Sequence, residues 1–489
     1  MNKRPNIIII NPDEMRWNTM GHMGNPAAST PALDQFAAED AVSFEYAYCQ
    51  NPVCVPSRCS FFTGLYPHVN GHRTMHYLIH DGKDTMFAEL RRNGYQVWMN
   101  RRNDYIASNV PGEFGKQFDE LSKLETRTQQ RLAMPAEREE FPYNHYLGVR
   151  ERVTGDYTDT LQACEKIRNL KQEDQPLCLF LGWMNPHVPY LTDEEHYNRI
   201  DPDLIPERVR SSETRGKSAM IHKLQEFSQL QKMSEEQWKE IQRVYLAQCS
   251  YIDDLFRMVV DALKESGNYD NSLIVFLSDH GDFAGDFDLP EKAQNSFEDI
   301  LTRVPLIVKP PKGEKVDPGN TRSLAELIDF YATVMDYAGV APEHDQFGVS
   351  LRAVIENRET PNRSYVFSEG GRRACEKQAD EFHKYGESGP PKTSDYWAKM
   401  NAEADDFAHE KGTMIFDGRY KYVLRLSGTD EFYDLKVDPQ EKINQIDEAK
   451  YAEIILKLKL EMLKWYQETC DTVQREFDNR GVTPSSIEQ

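Results

Sequence analysis

The sequence predicts an α/β protein with a large, mostly parallel mixed sheet sandwiched by helices, and a smaller C-terminal α+β subdomain that contains an antiparallel sheet. Fully apolar stretches within Asn6–Asn11 and Leu273–Leu277 are typical of buried parallel strands. Segments with helical spacing of apolar residues separate such strands, and short alternating strands cluster towards the C-terminus. These observations favour a parallel core sheet followed by a separate antiparallel one.

The predicted elements of the larger sheet follow in order along the chain. Strands are predicted at Asn6–Asn11, Tyr95–Met99, Leu177–Trp183, Leu273–Leu277 and the end of Leu289–Lys309. Helices are predicted at Pro31–Glu39, Ser57–Leu65, Asp84–Gly94, Asp156–Leu170, Ser234–Gly267 and Ser323–Gly339. We expect surface excursions at Ser108–Arg152 and Asp193–Met233, because both are polar or weakly periodic.

A boundary within Pro342–Arg363 is predicted to divide the chain into residues 1–358 and 359–489. Beyond it, short strands are predicted at Ser364–Ser368, Thr413–Asp417, Tyr420–Leu426 and Glu431–Asp434. A helix at Ala452–Gln467 is predicted to close this part of the fold.

Composition limits the kinds of partner. The 489 residues bear a net charge of −22 with a pI near 5.1, which argues against nucleic acid and anionic membranes as partners. No apolar run approaches the ~20 residues that span a bilayer, and the four isoleucines near the N-terminus are too short a run for a secretion signal. We therefore expect a cytoplasmic protein. Eight dispersed cysteines predict no disulfide framework.

The stretch Asn51–Arg73 places a cysteine beside a predicted helix N-terminus. Cys54 precedes the helix, where unpaired N–H groups and a partial positive charge suit an anion or lower the pKa of a nucleophile. Arg58, one turn further on, adds a permanent cation. The alternatives are a small buried hydrophobe, or a metal or disulfide cluster with Cys49 and Cys59, although this spacing does not match a C-x2-C zinc site.

Carboxylates and an imidazole follow two of the predicted strands. Asp13 and Glu14 come after the first strand, and Asp279 and His280 follow Leu273–Leu277. Open α/β sheets bind ligands beyond the carboxyl ends of their strands, so we expect these distant side chains to converge. The alternative for the first acidic pair is a helix cap.

Three segments resemble one enzyme family. C-V-P-S-R at Cys54–Arg58, followed by S-F-F-T-G-L-Y-P-H-V-N-G-H-R, resembles the signature of the type I sulfatases, which are formylglycine-dependent enzymes of the alkaline phosphatase superfamily. The first strand with N-P-D-E, and F-Y-D-L-K-V-D-P-Q-E-K-I-N-Q near the C-terminus, are similar to the same family, so the likeness covers almost the whole chain. It implies that residues 1–358 form the catalytic domain and that a maturase oxidises Cys54 to formylglycine.

The resemblance also implies a metal site. Its ligands would be Asp13, Glu14, Asp279 and His280, together with Cys54 after oxidation. The family generally holds Ca²⁺ and usually has aspartate where this chain has Glu14. Many members have asparagine in place of His280, whereas histidine occurs there in some sulfatases of uronic acids and in related phosphonate monoester hydrolases. An imidazole ligand would also admit Mn²⁺ or Zn²⁺.

Basic side chains complete the implied site. Arg58 would act in catalysis beside Cys54. P-H-V-P at His187 matches the segment whose histidine binds the sulfate ester and assists proton transfer. Lys292 falls where the family places the lysine that bridges the sulfate and formylglycine. An isolated histidine or lysine in such places is otherwise more often structural.

One segment departs from the family pattern. Where many members carry G-K-W-H, this chain has N-R-R-N-D, so that Arg102 replaces the lysine and Asp104 the histidine. Arg102 is therefore predicted to bind substrate, and the leaving-group chemistry stays open. His72 and Arg73, just past the signature, are candidate contacts to an acidic sugar, with packing as the alternative.

The sequence thus predicts a sulfatase that hydrolyses a sulfate monoester of a saccharide through a formylglycine hydrate and a divalent metal. The first alternative is a phosphonate or phosphate ester hydrolase of the same superfamily, favoured by His280 and the missing G-K-W-H. A non-catalytic glycan-binding relative is the second. The expected partners are a saccharide or small-molecule sulfate ester and the formylglycine-generating maturase, and the oligomeric state stays open.

Overall fold

The computed structural model describes residues 4–80, 85–107, 112–123, 143–150, 155–171, 174–377, 390, 392 and 395–472. Within these ranges the larger part of the chain has the strands β1 Asn6–Asp13, β2 Val42–Tyr48, β3 Gln96–Met99, β4 Glu120–Leu121, β5 Tyr146–Val149, β6 Leu177–Pro186, β7 Tyr190–Thr192, β8 Ser272–Leu277, β9 Leu306–Lys309 and β10 Gly319–Glu326.

The large sheet has the strand order β10-β2-β9-β8-β1-β6-β3-β4. Neighbouring strands run parallel except β9, which is antiparallel to both β2 and β8. β5 and β7 form a separate parallel pair. The predicted mostly parallel mixed sheet is therefore confirmed.

Helices cover both faces of the large sheet. They are α1 Pro31–Glu39, α2 Cys54–Thr63, α3 Pro67–Asn70, α4 Met86–Arg92, α5 Gly155–Arg168, α6 Glu194–Asn198, α7 Ala219–Ser228, α8 Glu235–Glu265, α9 Asp299–Thr302, α10 Leu327–Ala338 and α11 Arg352–Glu356. Ile7 and Ile9 of β1 pack with α2, α4 and α10, whereas Ile8 and Ile10 pack with α1, α5 and α8. Alternate residues of β1 thus meet apolar layers on both faces, which explains its continuous apolar run.

The C-terminal part has its own antiparallel sheet, in the order β11 Val366–Gly370, β12 Gly412–Phe416, β13 Tyr420–Arg425 and β14 Glu431–Asp434. The helix α12 Asp395–Ala404 lies between β11 and β12 in the chain, and α13 Ala452–Thr469 follows β14. Trp465 of α13 stacks on Phe367 of β11 with ring centroids 4.4 Å apart. The predicted antiparallel sheet and its closing helix are confirmed, and the division between residues 358 and 359 stays a prediction.

Some local predictions were wrong. The helix predicted at Ser323–Gly339 starts only at Leu327, because the preceding residues extend β10 through Glu326 and pair with β2. β2 itself was not predicted, since its apolar and polar residues alternate instead of forming an apolar run. The loop predicted at Asp193–Met233 contains α6 and α7. Part of Ser108–Arg152 lies outside the described residues, and the remainder includes β4 and β5.

No helix in the described part of the chain is long and apolar enough to cross a bilayer. All eight cysteines fall within the described ranges, and none of them forms a disulfide.

A buried carboxyl group joins α8 to α1. Asp253 accepts hydrogen bonds from the backbone N–H groups of Ala32 at 3.0 Å and Leu33 at 2.7 Å. Burial raises the pKa of Asp253 to about 7, compared with about 3.9 in an unfolded chain. Between these values the folded state holds a proton that the unfolded state has lost. The Asp253 contribution to the free energy of unfolding therefore falls as the pH rises through this window.

We expect Asp253→Asn to remove this part of the pH dependence, because asparagine does not titrate. The variant loses one of two oxygen acceptors and is expected to be less stable at low pH, but its free energy of unfolding should fall less between about pH 4 and pH 7 than that of the parent. Urea denaturation of both proteins across this range measures the two slopes. Identical slopes would contradict the role given to Asp253.

Candidate active site

The site lies at the edge of the large sheet where β1 and β8 end side by side. β1 ends at Asp13, and β8 is followed by Ser278, Asp279 and His280. The backbone turns sharply at Glu14, which has a φ of 69°. Its N–H donates to Asp279 Oδ1 at 3.2 Å, and this bond ties the two strand ends together.

α2 brings Cys54 to the same edge. The helix begins at Cys54 itself, earlier than the predicted start at Ser57, with Val53 still extended. Pro56 does not delay the helix, because a proline in the first turn lacks only an N–H that has no intrahelical partner there. α2 ends at Thr63, two residues before the predicted end at Leu65, and Gly64 follows it in the left-handed conformation.

Four ligand atoms converge at this edge. Cys54 Sγ lies 3.6 Å from Asp13 Oδ1 and 3.2 Å from His280 Nε2. Together with Asp279, these residues offer atoms that all lie within 4.8 Å of one another. Nδ1 of His280 donates to the carbonyl oxygen of Gly281 at 2.9 Å, which leaves the Nε2 lone pair for a metal. Two carboxylates and this imidazole fit a divalent cation.

Two arginines balance the buried carboxylates. Arg58 is fully buried, and it donates from Nε to Asp279 Oδ2 at 2.9 Å and from Nη2 to Asp13 Oδ2 at 3.2 Å. Arg102 forms an ion pair with Asp13 and places Nε 2.8 Å from Asp104 Oδ2. Burial alone would raise the pKa of Asp13, but the charges of Arg102 and Arg58 outweigh it and hold that pKa well below its usual range.

The thiol of Cys54 is a poor nucleophile in this environment. Burial raises the pKa of Cys54 well above its usual value, and the charge of Asp13 raises it further. The thiol therefore keeps its proton at neutral pH. The expectation that the helix N-terminus would lower the pKa of a nucleophile here is wrong for the unmodified cysteine, because desolvation and the neighbouring carboxylate dominate.

A lysine and a histidine stand beside this group. Lys292 Nζ donates to His187 Nε2 at 2.8 Å and to Glu14 Oε2 at 3.1 Å. Nδ1 of His187 donates to the carbonyl oxygen of Val188 at 2.8 Å. Burial and the positive charge of Lys292 lower the pKa of His187 to about 3, so its imidazole is neutral.

Glu14 lies apart from the group formed around Cys54. The carboxylate of Glu14 instead forms a second cluster, with Asp13 and His187. Burial raises the pKa of Glu14 well above its usual value. The role of Glu14 as a metal ligand therefore stays a prediction.

Two of the predicted substrate contacts lie elsewhere. His72 Nδ1 donates to the carbonyl oxygen of Tyr77 at 2.7 Å, and Arg73 forms an ion pair with Glu376. Neither residue lines the cavity above Cys54. Their part in substrate binding stays a prediction, whereas Arg102 does line that cavity.

The cavity above Cys54 has a volume of about 110 Å³, and sequence reasoning found only part of its wall. Cys54, Arg102, His187 and Lys292 form one part of the wall. α12 supplies another part through Tyr396, Lys399, Met400 and Glu403. These four positions follow the i, i+3, i+4, i+7 spacing of one helix face, a signal that predicts a helix but not what it covers.

Glu291 was also missed. It has a φ of 59°, and its Oε2 accepts from Lys399 Nζ at 2.5 Å while its Oε1 accepts from the hydroxyl of Tyr143 at 3.1 Å. These contacts hold the backbone that orients its neighbour Lys292. A charged residue on a loop has no local pattern that would have revealed this role.

Comparisons with known proteins agree with this geometry. Residues 5–340 match the family model described as Sulfatase. The chain is similar to "Uncharacterized sulfatase YidJ" of Escherichia coli (strain K12), with 25% identity over 468 residues that cover 93% of this chain and 86% of the relative. It is 24% identical over 530 residues to an N-acetylglucosamine-6-O-sulfatase of Bacteroides thetaiotaomicron, covering 96% of this chain and 86% of the relative.

The fold is likewise shared with solved structures. The phosphonate monoester hydrolase of Agrobacterium radiobacter superposes with a TM-score of 0.75 at 21% identity, over 95% of this chain and 96% of the other.

Proposed function

The chain belongs to the sulfatase family of sulfuric ester hydrolases, and from this premise we propose that it hydrolyses the sulfate monoester of a saccharide through formylglycine formed from Cys54, with a divalent metal. The observation that best supports this proposal is the convergence on Cys54 of three side chains that could hold a metal and of three cations. They are Asp13, Asp279 and His280, and Arg58, Arg102 and Lys292. The similarity to an N-acetylglucosamine-6-O-sulfatase supports a saccharide as substrate.

Sulfate ester hydrolysis needs a nucleophile in line with the leaving oxygen and positive charge at the other sulfate oxygens. Asp13, Asp279 and His280 would hold the divalent cation, which would polarise a sulfate oxygen. We favour Ca²⁺, and the imidazole would also admit Mn²⁺ or Zn²⁺. Arg102 and Lys292 line the cavity and provide further positive charge.

Oxidation of Cys54 by a separate maturase would replace its poorly nucleophilic thiol with an aldehyde. The resulting aldehyde hydrates to a carbon that bears two hydroxyl groups. One hydroxyl attacks sulfur as its proton passes to the carboxylate of Asp279 or Asp13, and the bond between sulfur and the alcohol oxygen breaks. Loss of the proton from the second hydroxyl then expels sulfate and restores the aldehyde. A thiol or a serine hydroxyl lacks this second group and would retain the sulfate.

We assign the proton transfer to the leaving alcohol, and the later one from the second hydroxyl, to the Lys292–His187 pair. The shared proton resides on Lys292, and the neutral imidazole of His187 accepts a hydrogen bond from it. A bound anionic ester favours the protonated imidazole, which can then protonate the leaving alcohol. The neutral His187 that remains can accept the proton of the second hydroxyl.

The second candidate function is hydrolysis of a phosphonate or phosphate ester. His280 at the metal site and Asp104 in place of the family's histidine favour it. The structural similarity to a phosphonate monoester hydrolase shows the shared fold and does not separate the two reactions.

Parallel assays separate the candidates. We expect protein coexpressed with a maturase to show a higher kcat/KM for 4-nitrophenyl sulfate than for 4-nitrophenyl phenylphosphonate or 4-nitrophenyl phosphate, which share one leaving group. A higher kcat/KM for the phosphonate would favour the second candidate. Lack of turnover of all three by fully converted protein would favour a non-catalytic binding protein.

A further inference from the structure

We propose that Gln294 is a substrate-binding residue whose carboxamide hydrogen-bonds a hydroxyl or amide N–H group that the leaving alcohol carries beside the sulfate ester. Esters of sugars would then be preferred over esters of alcohols that lack such a group. This inference rests on the proposed function and adds to it a residue that contacts the alcohol part of the substrate.

The side chain of Gln294 belongs to the cavity above Cys54. It lines this cavity of about 110 Å³ together with Cys54, His187 and Lys292. The cavity is small, so an ester whose sulfur reaches residue 54 must bring the adjoining atoms of its alcohol close to the other side chains of the wall. Gln294 is only 1% exposed, and a hydrogen bond to it would therefore form away from bulk water.

The carboxamide of Gln294 contains an acceptor that the protein does not use. Its Oε1 is buried and has no hydrogen-bond partner among the described residues. Two other buried polar atoms of the cavity wall also lack a hydrogen bond, but these atoms, Arg102 Nε and Asp104 Oδ2, lie 2.8 Å apart as an ion pair. A buried acceptor without a donor is unfavourable, so its place in the wall of a candidate active site points to a donor on the substrate.

The backbone at Gln294 is held by the C-terminal part of the chain. Its carbonyl oxygen accepts a hydrogen bond from Gly371 N–H at 3.1 Å. The next residue, Asn295, donates from Nδ2 to the carbonyl oxygens of Ala408 at 2.8 Å and Glu410 at 2.9 Å. The Asn295 carboxamide thus joins the two parts of the fold. These contacts fix the backbone from which the Gln294 side chain extends, without using Gln294 Oε1.

The sulfate group does not supply the donor that Oε1 lacks. The oxygens of a sulfate ester accept hydrogen bonds and carry no proton, and Arg102 and Lys292 line the cavity as cationic donors to them. A hydroxyl group of the alcohol both donates and accepts, so it can pair with either end of a carboxamide, and an amide N–H can pair with Oε1. Sugars carry such groups on the carbon atoms next to the esterified one, which is why the contact favours a saccharide ester.

Matched alkyl sulfates test this contact. In trans-2-hydroxycyclohexyl sulfate a hydroxyl group stands beside the ester, and trans-2-methylcyclohexyl sulfate has a methyl group there. We expect the ratio of kcat/KM for the hydroxy ester to that for the methyl ester to fall about tenfold in Gln294→Met, because methionine keeps the length of the side chain but not its carboxamide. The intrinsic reactivities of the two esters are the same for both proteins and cancel in this comparison.

Gln225→Met is the matched control. Gln225 is a buried glutamine of α7 outside the cavity lining, and its Nε2 donates to the carbonyl oxygen of Phe287 at 2.8 Å. We expect this variant to keep the parent ratio and to be less stable in urea denaturation. Gln294→Met should not lose stability, since it removes a polar atom that has no partner. An unchanged ratio in Gln294→Met, an equal fall in both variants, or an equal loss of stability in both would overturn the inference.

Binding gives a readout that does not depend on turnover. Calorimetric titration of the metal-loaded Cys54→Ala variant should show tighter binding of the hydroxy ester, and Gln294→Met in that background should narrow the difference. Equal binding of the two esters, or binding of neither, would overturn the inference. The expected binding preference without turnover by fully converted protein would contradict the proposed function alone. If Gln294→Met does not fold, Gln294→Ala tests the same contact, with the same fall in the ratio expected.

Discussion

Cys54→Ala is expected to lower kcat for 4-nitrophenyl sulfate by about 10⁴-fold or more, because in the proposed mechanism residue 54 carries the group that bonds to sulfur. The remaining cations would still bind the ester, so KM should change far less than kcat. Steady-state kinetics on protein coexpressed with a maturase measures both parameters. Cys59→Ala is the matched control, since Cys59 is a buried cysteine on the same helix and lies outside the cavity lining. Near-parental activity of Cys54→Ala would remove Cys54 from the mechanism.

Cys54→Ser, produced without a maturase, probes the second hydroxyl of the proposed hydrate. A serine offers one hydroxyl, so it can accept sulfate but cannot expel it through an aldehyde. We expect at most one turnover, with a mass gain of about 80 Da on the peptide that contains residue 54. Repeated turnover by this variant would contradict the two-hydroxyl scheme.

Asp279→Asn is expected to lower both activity and stability, for two separate reasons. The substitution removes one of the proposed anionic metal ligands, and we therefore expect kcat to fall by about 10³-fold. It also leaves the buried Arg58 without the carboxylate that lies 2.9 Å from its Nε. Removing one partner of such a pair costs about 3 kcal/mol of unfolding free energy.

Metal content separates these two effects. Asp286→Asn is the control, because Asp286 is also a buried partner of an arginine, 2.8 Å from Arg16 Nη1, and lies outside the metal group. We expect both variants to lose stability in urea denaturation and only Asp279→Asn to lose bound metal by elemental analysis. A normal metal content in Asp279→Asn would contradict its assignment as a ligand.

The core of the fold could be predicted from the sequence because its strands are buried on both faces. β1 and β8 are continuous apolar runs, and such runs are typical of central parallel strands. β2 was not predicted because its apolar and polar residues alternate. The start of α10 was predicted too early because the residues before Leu327 belong to β10, which pairs with β2. Pairing with a distant strand decided the state of those residues, and local patterns do not report such pairing.

The candidate site could likewise be predicted only in part from the sequence. Asp13 and the Asp279–His280 pair could be predicted to meet because each follows a strand that ends at one edge of the sheet. Lys399 and Glu403 could not be placed, because they reach the cavity only when α12 of the C-terminal part packs against the larger part. Desolvation by the surrounding fold also reversed the expected direction of the Cys54 pKa.

The most direct test of the account is the mass of the peptide that contains Cys54, measured together with activity. After coexpression with a maturase, we expect a fraction of this peptide to be about 18 Da lighter, as conversion of the thiol to an aldehyde requires. The rate of sulfate ester hydrolysis should rise in proportion to that fraction across preparations. Full activity in a preparation whose Cys54 is entirely unmodified, or none in one that is entirely converted and loaded with metal, would contradict the account.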